Sequence, residues 1–287
     1  MGKASRRRNR AETAARPKRK EVPFVERPFE GIDGETDLVA MREILPMAQA
    51  EAQLKDGSTV LLVTLLPEQM PGLRREDGTV VVAMQTRMHS GDASRDLAHA
   101  IEEAQKLEPG TPLRLAELPE PGTRLQDLLA KDAKITVEVT EDFGFWLDSS
   151  ADRTPELEDA LESASEAAVK MVAVEGVTSA YWVRMGKEFL RWIRGEDETA
   201  LLNALTRLQA ERRTDLEEGA RLIGAFRASG LLVPVWELVP GTEADELGGS
   251  AKDFEKRLAA ALEVKEPLSP QQKRVRDGLI SRQVNLR

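Results

Sequence analysis

The chain contains no cysteine, one tyrosine and two histidines among its 287 residues. Without cysteine it has no disulfide, thiol nucleophile or cysteine-ligated zinc site, and this composition suits a reducing compartment. Catalysis or metal binding by histidine is restricted to His89 and His99. Aromatic residues make up only 4% of the chain, so leucine, valine and alanine have to supply most of the buried apolar surface.

Long apolar runs are also missing. The longest, Val60–Leu66, is closed by Pro67, whereas roughly 20 apolar residues are needed to span a bilayer. This run is predicted to be a buried strand. No apolar segment of the kind found in a secretory signal follows the N-terminal residues. We therefore expect a cytoplasmic protein that does not insert into membranes.

What the sequence does contain is a strong separation of charge. The net charge is −9, but residues 1–20 hold nine Lys or Arg against Glu12 and carry +8, residues 21–264 carry −21 and residues 265–287 carry +4. Dense Lys and Arg attract polyanions through counterion release, largely without sequence preference. The residues predicted to bind a polyanion are Lys3, Arg6, Arg7, Arg8, Arg10, Arg16, Lys18, Arg19 and Lys20.

Four segments are predicted along the chain. Residues 1–21 are expected to be a disordered basic arm, because a highly charged segment with no apolar residue larger than alanine after Met1 cannot offset the entropy of ordering. Residues 22–124 and 125–264 are expected to form two α+β subdomains with mixed sheets and packed amphipathic helices. Residues 265–287 are expected to be a flexible C-terminal tail. Val22–Phe29, which contains two prolines, is predicted to be an extended strap on the body.

The apolar periodicity of the first half predicts a short helix after Thr36, strands within 47–88 and a helix over 92–107. In the last of these, Arg95 is expected to be exposed, because it lies opposite the apolar stripe. The residues of that helix predicted to be buried are Leu97, Ile101 and Ala104.

The second half is predicted to alternate strands and helices. Thr154 and Pro155 have the residue types of a helix start. Pro234 within 231–239 predicts an edge strand, because proline lacks the N–H that a central strand donates. Two further strands are predicted, one at 135–139 with an extension at 144–147 and one at 180–184. Three further helices are predicted, one at 189–193, one that begins at Thr214 and one that begins near Ser250.

Residues 87–96 combine polar side chains with a predicted helix start. Helix N-termini present free N–H groups and positive partial charge, which favour a phosphate or carboxylate. The alternative is that Asp92 or Ser94 caps the helix. No Walker motif, dinucleotide fingerprint or serine-hydrolase elbow accompanies the loop, so no catalytic residue is assigned. The candidate anion-binding residues are Arg87, His89, Ser90, Asp92, Ser94 and Arg95.

Three further patterns are assigned to structure rather than chemistry. Asp142–Gly144 matches the metal-binding triplet of protein kinases, but the other kinase motifs are missing, so Phe143 is expected in the core. Paired acids are expected by chance in a chain with 50 acidic residues. The four tryptophans lie in predicted strands or amphipathic helices, which favours core packing over an aromatic cage. Neither a metal site nor a cofactor is predicted.

Several segments resemble an uncharacterised actinobacterial family of unknown function. The likeness covers most of the chain and is carried by Met1–Arg10, Val22–Asp37, Ser90–His99 and Gly230–Leu238. The resemblance implies no activity, cofactor or site residue. Some relatives are labelled SecA-like, a label that implies a cysteine-rich zinc motif and an ATPase motor. A chain without cysteine or a Walker motif has neither.

These observations favour a binding protein over an enzyme. The acidic body is expected to be tethered by its basic arm to a polyanion, namely RNA, the ribosome or DNA. One alternative is an enzyme of unrecognised class that uses residues 87–96 as an anion or substrate site. Another is a protein–protein adaptor that uses the acidic surface to bind a protein partner.

Overall fold

The structure is a computed structural model that describes residues 19–64, 70–86, 88–148 and 154–281. The described residues form seven α-helices and eleven strands, which confirms the predicted α+β class. The helices are α1 Glu35–Glu43, α2 Ala93–Ala104, α3 Leu125–Leu128, α4 Pro155–Ala167, α5 Glu198–Ala210, α6 Leu247–Leu262 and α7 Pro270–Ser281. The strands are β1 Ala48–Gln53, β2 Thr59–Val63, β3 Gly72–Arg74, β4 Val80–Ala83, β5 Thr111–Pro112, β6 Glu138–Val139, β7 Met171–Ala173, β8 Ala180–Met185, β9 Lys187–Trp192, β10 Arg221–Ala228 and β11 Leu231–Glu237.

The first sheet has six strands in the order β5-β3-β4-β2-β1-β6. The alanines of β1 alternate with polar residues and are buried, as the pleat of a strand requires. β2 and β4 run parallel, and β4 is buried along its whole length because both faces of the sheet are covered. One face packs against α1 and α2, and the other against Phe143, Phe145 and Trp146.

The strand predicted at 135–139 is reduced to β6, and the predicted extension at 144–147 is wrong. Gly144–Trp146 forms a short 3-10 helix. The Gly144 amide donates to the Asp142 carboxylate at 2.6 Å, which closes a tight turn. That turn directs Phe145 and Trp146 onto the outer face of the first sheet.

The second sheet is antiparallel throughout, in the order β10-β11-β9-β8-β7. The helix predicted at 189–193 is wrong, because residues 189–192 belong to β9, where Leu190 and Trp192 alternate with half-buried neighbours. The helix predicted from Thr214 is also wrong. The Thr214 carbonyl instead accepts the Trp236 indole N–H at 2.7 Å, in a loop that leads into β10.

Pro234 does not mark an edge strand, because β11 lies between β10 and β9. The β11–β9 pairing is interrupted at this position. Leu232 bridges to Arg194, the pairing resumes at Val235 opposite Arg191, and Pro234 lies between them. A residue without an N–H is therefore tolerated inside the sheet.

The second sheet is buried on both faces, and the side chains that alternate along its strands point into two different cores. Tyr181 and Val183 point to the side of α1 and the first sheet. Trp182, Trp192 and Trp236 point to the other side, where α5, α6 and α7 cover the sheet. The Trp236 and Phe254 rings meet edge to face with centroids 5.1 Å apart, a favoured aromatic arrangement.

A buried polar contact joins α1 to the second sheet. Asp37 is 9% exposed, and its carboxylate accepts the hydroxyl groups of Ser179 and, at 3.4 Å, Tyr181. Tyr181 is 3% exposed. Burial, and next to it the charge of Asp37, raise the pKa of Tyr181 well above its ordinary value of 10.0.

Contacts also run across the predicted subdomain boundary at residue 124. β6 pairs with β1, and Leu129 bridges to Leu54, so residues beyond 124 complete the first sheet. One buried cluster contains residues from both sheets. The division into 22–124 and 125–264 stays a prediction.

The structure places a helix where the sequence predicts a flexible tail. α7 packs against α5 and β10, and its Leu279 is 6% exposed. The helix start was present in the sequence as Ser269, Pro270 and Gln272. The main-chain N–H of Gln272 donates to the Ser269 hydroxyl at 3.2 Å. The main-chain N–H of Ser269 donates to the side-chain oxygen of Gln272 at 2.9 Å, as in a capping box. Within the described ranges, no helix has both the length and the apolar character needed to cross a bilayer.

Candidate functional site

The predicted polyanion-binding residues lie mostly outside the described part of the chain. Arg19 and Lys20 are described, and both are exposed. The Arg19 guanidinium lies 2.7 Å from the Glu117 carboxylate in an exposed ion pair, which contributes little to stability. The residues outside the described ranges are Lys3, Arg6, Arg7, Arg8, Arg10, Arg16 and Lys18.

The loop before α2 is organised around its own carboxylates. Asp92 is 3% exposed and caps α2 by accepting the Ser94 amide at 3.0 Å. The Ser90 amide donates to the Asp96 carboxylate at 3.1 Å. His89 is exposed, and Arg87 lies outside the described residues. The geometry therefore shows the helix cap, while anion binding by this loop stays a prediction.

Asp92 has a second partner that the sequence did not indicate. Arg124 donates to its carboxylate at 2.6 and 3.3 Å and to the Pro28 carbonyl at 3.0 Å. Gln126 also donates to the Pro28 carbonyl, at 2.8 Å, and its side-chain oxygen accepts the Ser94 hydroxyl at 2.5 Å. These contacts join the strap, the start of α2 and α3. Local periodicity could not reveal them, because 32 residues separate Asp92 from Arg124.

Arg95 is largely buried, so the prediction that it is exposed is wrong. Its side chain is 11% exposed. The guanidinium donates to the carbonyls of Glu120 and Thr123 at 2.9 and 3.0 Å and lies 3.2 Å from the Glu102 carboxylate. A loop covers the face of α2 that was expected to meet solvent. The predicted burial of the apolar stripe of α2 is confirmed for Leu97, Ile101 and Ala104.

A cavity of about 310 Å³ lies beside this loop. The strap, the loop, the end of α1 and the turn between β10 and β11 line it, and it is open to solvent. Gly230 in that turn has φ +80°, and a Cβ there would lie 2.8 Å from the Glu26 carbonyl oxygen. Only glycine therefore allows the strap to pass so close to the turn.

The charges around the cavity are mostly negative. Carboxylates of Glu26, Glu43, Asp92 and Asp96 line it, together with Arg42. Arg42 already pairs with Glu43 at 3.2 Å and donates to a main-chain carbonyl. Such a lining disfavours an anion.

The second histidine, His99, lies on α2 and is favoured in its neutral form at neutral pH. Burial, and after it the charge of the neighbouring Arg95, lower its pKa.

The other patterns singled out in the sequence lie in the core. Phe143 is 3% exposed, which confirms its predicted burial. The four tryptophans are each 4% exposed or less, so core packing is confirmed for them as well. Their indole N–H groups donate to main-chain carbonyls at 2.7 to 3.1 Å. Among the described residues, no group of three or more His, Asp or Glu side chains is placed to hold a metal ion.

Comparison with known families agrees with the predicted resemblance. The chain belongs to the Family of unknown function (DUF5926), whose model matches residues 28–287. The match therefore includes both sheets, the loop before α2 and most of the cavity lining, and it begins after the basic arm. No curated protein and no solved structure matches the chain significantly.

Proposed function

We propose that this protein is a non-enzymatic binding protein whose basic arm, residues 1–21, tethers the acidic body to a polyanion such as RNA, the ribosome or DNA. The observation that carries the proposal is the charge separation, with +8 in residues 1–20 and −21 in residues 21–264. Counterion release from the polyanion favours contact with the arm. The like charge of the body disfavours contact with the body.

The described start of the chain supports a tether that is anchored at its body end. The Val25 amide donates to the Gly91 carbonyl at 2.9 Å. Arg27 holds Glu35 through two hydrogen bonds of 2.5 and 2.8 Å. Phe29 is fully buried. Residues 25–29 of the predicted strap are therefore attached to the body, and the arm precedes them in the sequence.

The arm has the highest density of positive charge in the chain, and nearly half of the 26 Lys and Arg in residues 21–264 pair with the body's own carboxylates. At least twelve of them lie within 4.0 Å of a carboxylate: Arg27, Arg42, Arg95, Lys106, Arg124, Arg184, Lys187, Arg194, Arg213, Arg221, Arg227 and Lys256.

Distance allows the arm to act while the body is repelled. Repulsion between the body and a polyanion is screened beyond about 8 Å at physiological ionic strength. An extended segment of some twenty residues spans roughly 65 Å. The arm can therefore bind phosphates well outside the range of that repulsion.

The proposal predicts strongly salt-dependent binding. If all nine cations of residues 1–20 contact phosphates, log K should fall with log salt with a slope of about −6 for a single strand. Fluorescence anisotropy with a labelled single-stranded RNA over a range of salt concentrations measures this slope. A full-length variant with all nine Lys and Arg of the arm replaced by Gln should lose the binding and keep its thermal stability.

The matched control neutralises exposed cations at the other end of the chain. Replacing Lys265, Lys273 and Arg274 with Gln should leave affinity and slope nearly unchanged, because these residues are outside the arm. Equal binding by the arm variant, or no binding of RNA or DNA by the unmodified protein at low salt, would contradict the proposal.

A further inference from the structure

A groove of about 590 Å³ separates the free edges of the two sheets. β6 is the last strand of the first sheet and β7 is the last strand of the second, and the two lie next to each other. Met47, Val139, Met171 and Val172 supply apolar lining. Edge strands present a row of N–H and C=O groups that the sheet itself does not pair.

The register shows which groups of β7 face the groove. The Val174 amide donates to the Ala180 carbonyl of β8 at 2.9 Å. Successive residues of an antiparallel strand direct their backbone groups to opposite sides. Met171 and Ala173 therefore direct theirs away from β8, and both residues line the groove.

The same reasoning applies to β6 on the opposite wall. The Thr140 amide donates to the Met47 carbonyl at 3.1 Å. Val139 therefore directs its N–H and C=O away from β1, and it too lines the groove. Both walls thus offer main-chain donors and acceptors of the kind that pair with an extended peptide.

The surface around the groove is strongly acidic. Glu141 lines both the groove and an adjoining depression of about 510 Å³ beside α4. Lys170 is the one base in the described lining of the two. The exposed acids are Glu141, Asp142, Glu158, Glu162, Glu166 and Glu175. None of these six pairs with a cation within the described ranges, so no described cation of the body forms an ion pair with them.

We propose that this groove binds the chain's own residues 1–18. These residues hold seven Lys or Arg and one acid, Glu12. Their positive charge complements the negative charge of the groove surface. Ala11, Thr13, Ala14 and Ala15 are small enough to lie between two sheet edges. The arm would pair with the backbone groups of the walls while its cations reach the acids on the rim.

The chain is long enough for this contact. Arg19 lies beside Glu117, in the loop that follows β5, and β5 is the edge of the first sheet opposite β6. Five strand spacings amount to about 24 Å, whereas eighteen extended residues span about 60 Å. The arm can therefore cross the sheet and enter the groove of its own molecule.

Docking would regulate the proposed binding activity. An arm held in the groove is not available to phosphates, so the acids beside α4 and a polyanion compete for the same cations. This consequence rests on the proposed function, whereas the docking itself does not.

Introduced cysteines can test the docking in the full-length chain, because the natural sequence contains none. The test variant combines Ala11→Cys with Ala173→Cys in the groove. The control combines Ala11→Cys with Ala260→Cys, which is also exposed but lies on α6, across the second core. With the same concentration of an added thiol oxidant in both samples, intramolecular disulfide formation should be at least about tenfold faster for the groove pair, because docking raises the local concentration of the two thiols. Adding Glu158→Gln, Glu162→Gln and Glu166→Gln should reduce it to the control rate.

Equal rates for the two pairs, or a groove preference that survives the three Glu→Gln changes, would overturn the proposal. So would disulfides that form mainly between two molecules, since these would indicate the arm of a second copy. Single-stranded RNA separates this inference from the proposed function. If about four-fifths of the arms are docked, the three Glu→Gln changes should raise RNA affinity about fivefold. A groove preference without any RNA binding would support docking and contradict the tether.

Discussion

Stability at alkaline pH should depend on Tyr181. The folded state raises the pKa of this phenol above 10.0, through burial first and the charge of Asp37 second. In the unfolded chain the phenol ionises at about pH 10. The folded protein therefore retains a proton that the unfolded chain has lost, and its stability is complete below pH 10 and falls as the pH rises. The expected loss is about 1.4 kcal/mol per pH unit above pH 10, or about 2.7 kcal/mol two units above it.

Two measurements on this chain isolate the effect. Tyr181 is the only tyrosine in the sequence, so ultraviolet absorbance of tyrosinate reports on this residue alone. The absorbance should appear only when the protein unfolds. Urea unfolding between about pH 9 and pH 11 should show the extra pH slope in the wild type and not in Tyr181→Phe, which shares every other titrating group. Tyr181→Phe should itself cost about 1 kcal/mol at neutral pH through the lost hydrogen bond. Tyrosinate that appears near pH 10 in folded protein, or an equal slope in both proteins, would refute the reasoning.

Two further predictions concern stability measured by urea unfolding. Gly34→Ala should reduce the free energy of unfolding by at least about 2 kcal/mol more than Gly57→Ala. Both glycines have positive φ, but only at Gly34 would a Cβ lie 2.2 Å from a carbonyl oxygen, that of Ile135. Equal losses in the two variants would show that the steric contact is relieved. Asp92→Ala should cost about 2 to 4 kcal/mol by removing both the α2 cap and the partner of Arg124, whereas Asp92→Asn, which can still cap, should cost roughly half as much. If the two Asp92 variants lose the same amount, the cap contributes little.

The candidate anion loop shows where local sequence and tertiary structure divide. The residue types of Asp92 and Ser94 were enough to predict a helix cap at one of the two, because a short polar side chain reaches a backbone amide two or three residues away in any fold. Its pairing with Arg124 depends on α3 lying beside α2. The burial of Arg95 likewise depends on a distant loop that covers it. No local pattern encodes contacts of that kind.

The sequence by itself determined the charge separation, the absence of cysteine chemistry, the α+β class and the buried stripe of α2. Each of these depends on composition or on a period repeated over several turns, which neighbouring elements do not change. The tertiary structure decided the short elements. Residues 189–192 form part of a strand, β9, because β8 and β11 pair with its two edges. The groove between β6 and β7 exists because two sheets end side by side, and an edge is a property of strand order that no single segment of the chain contains.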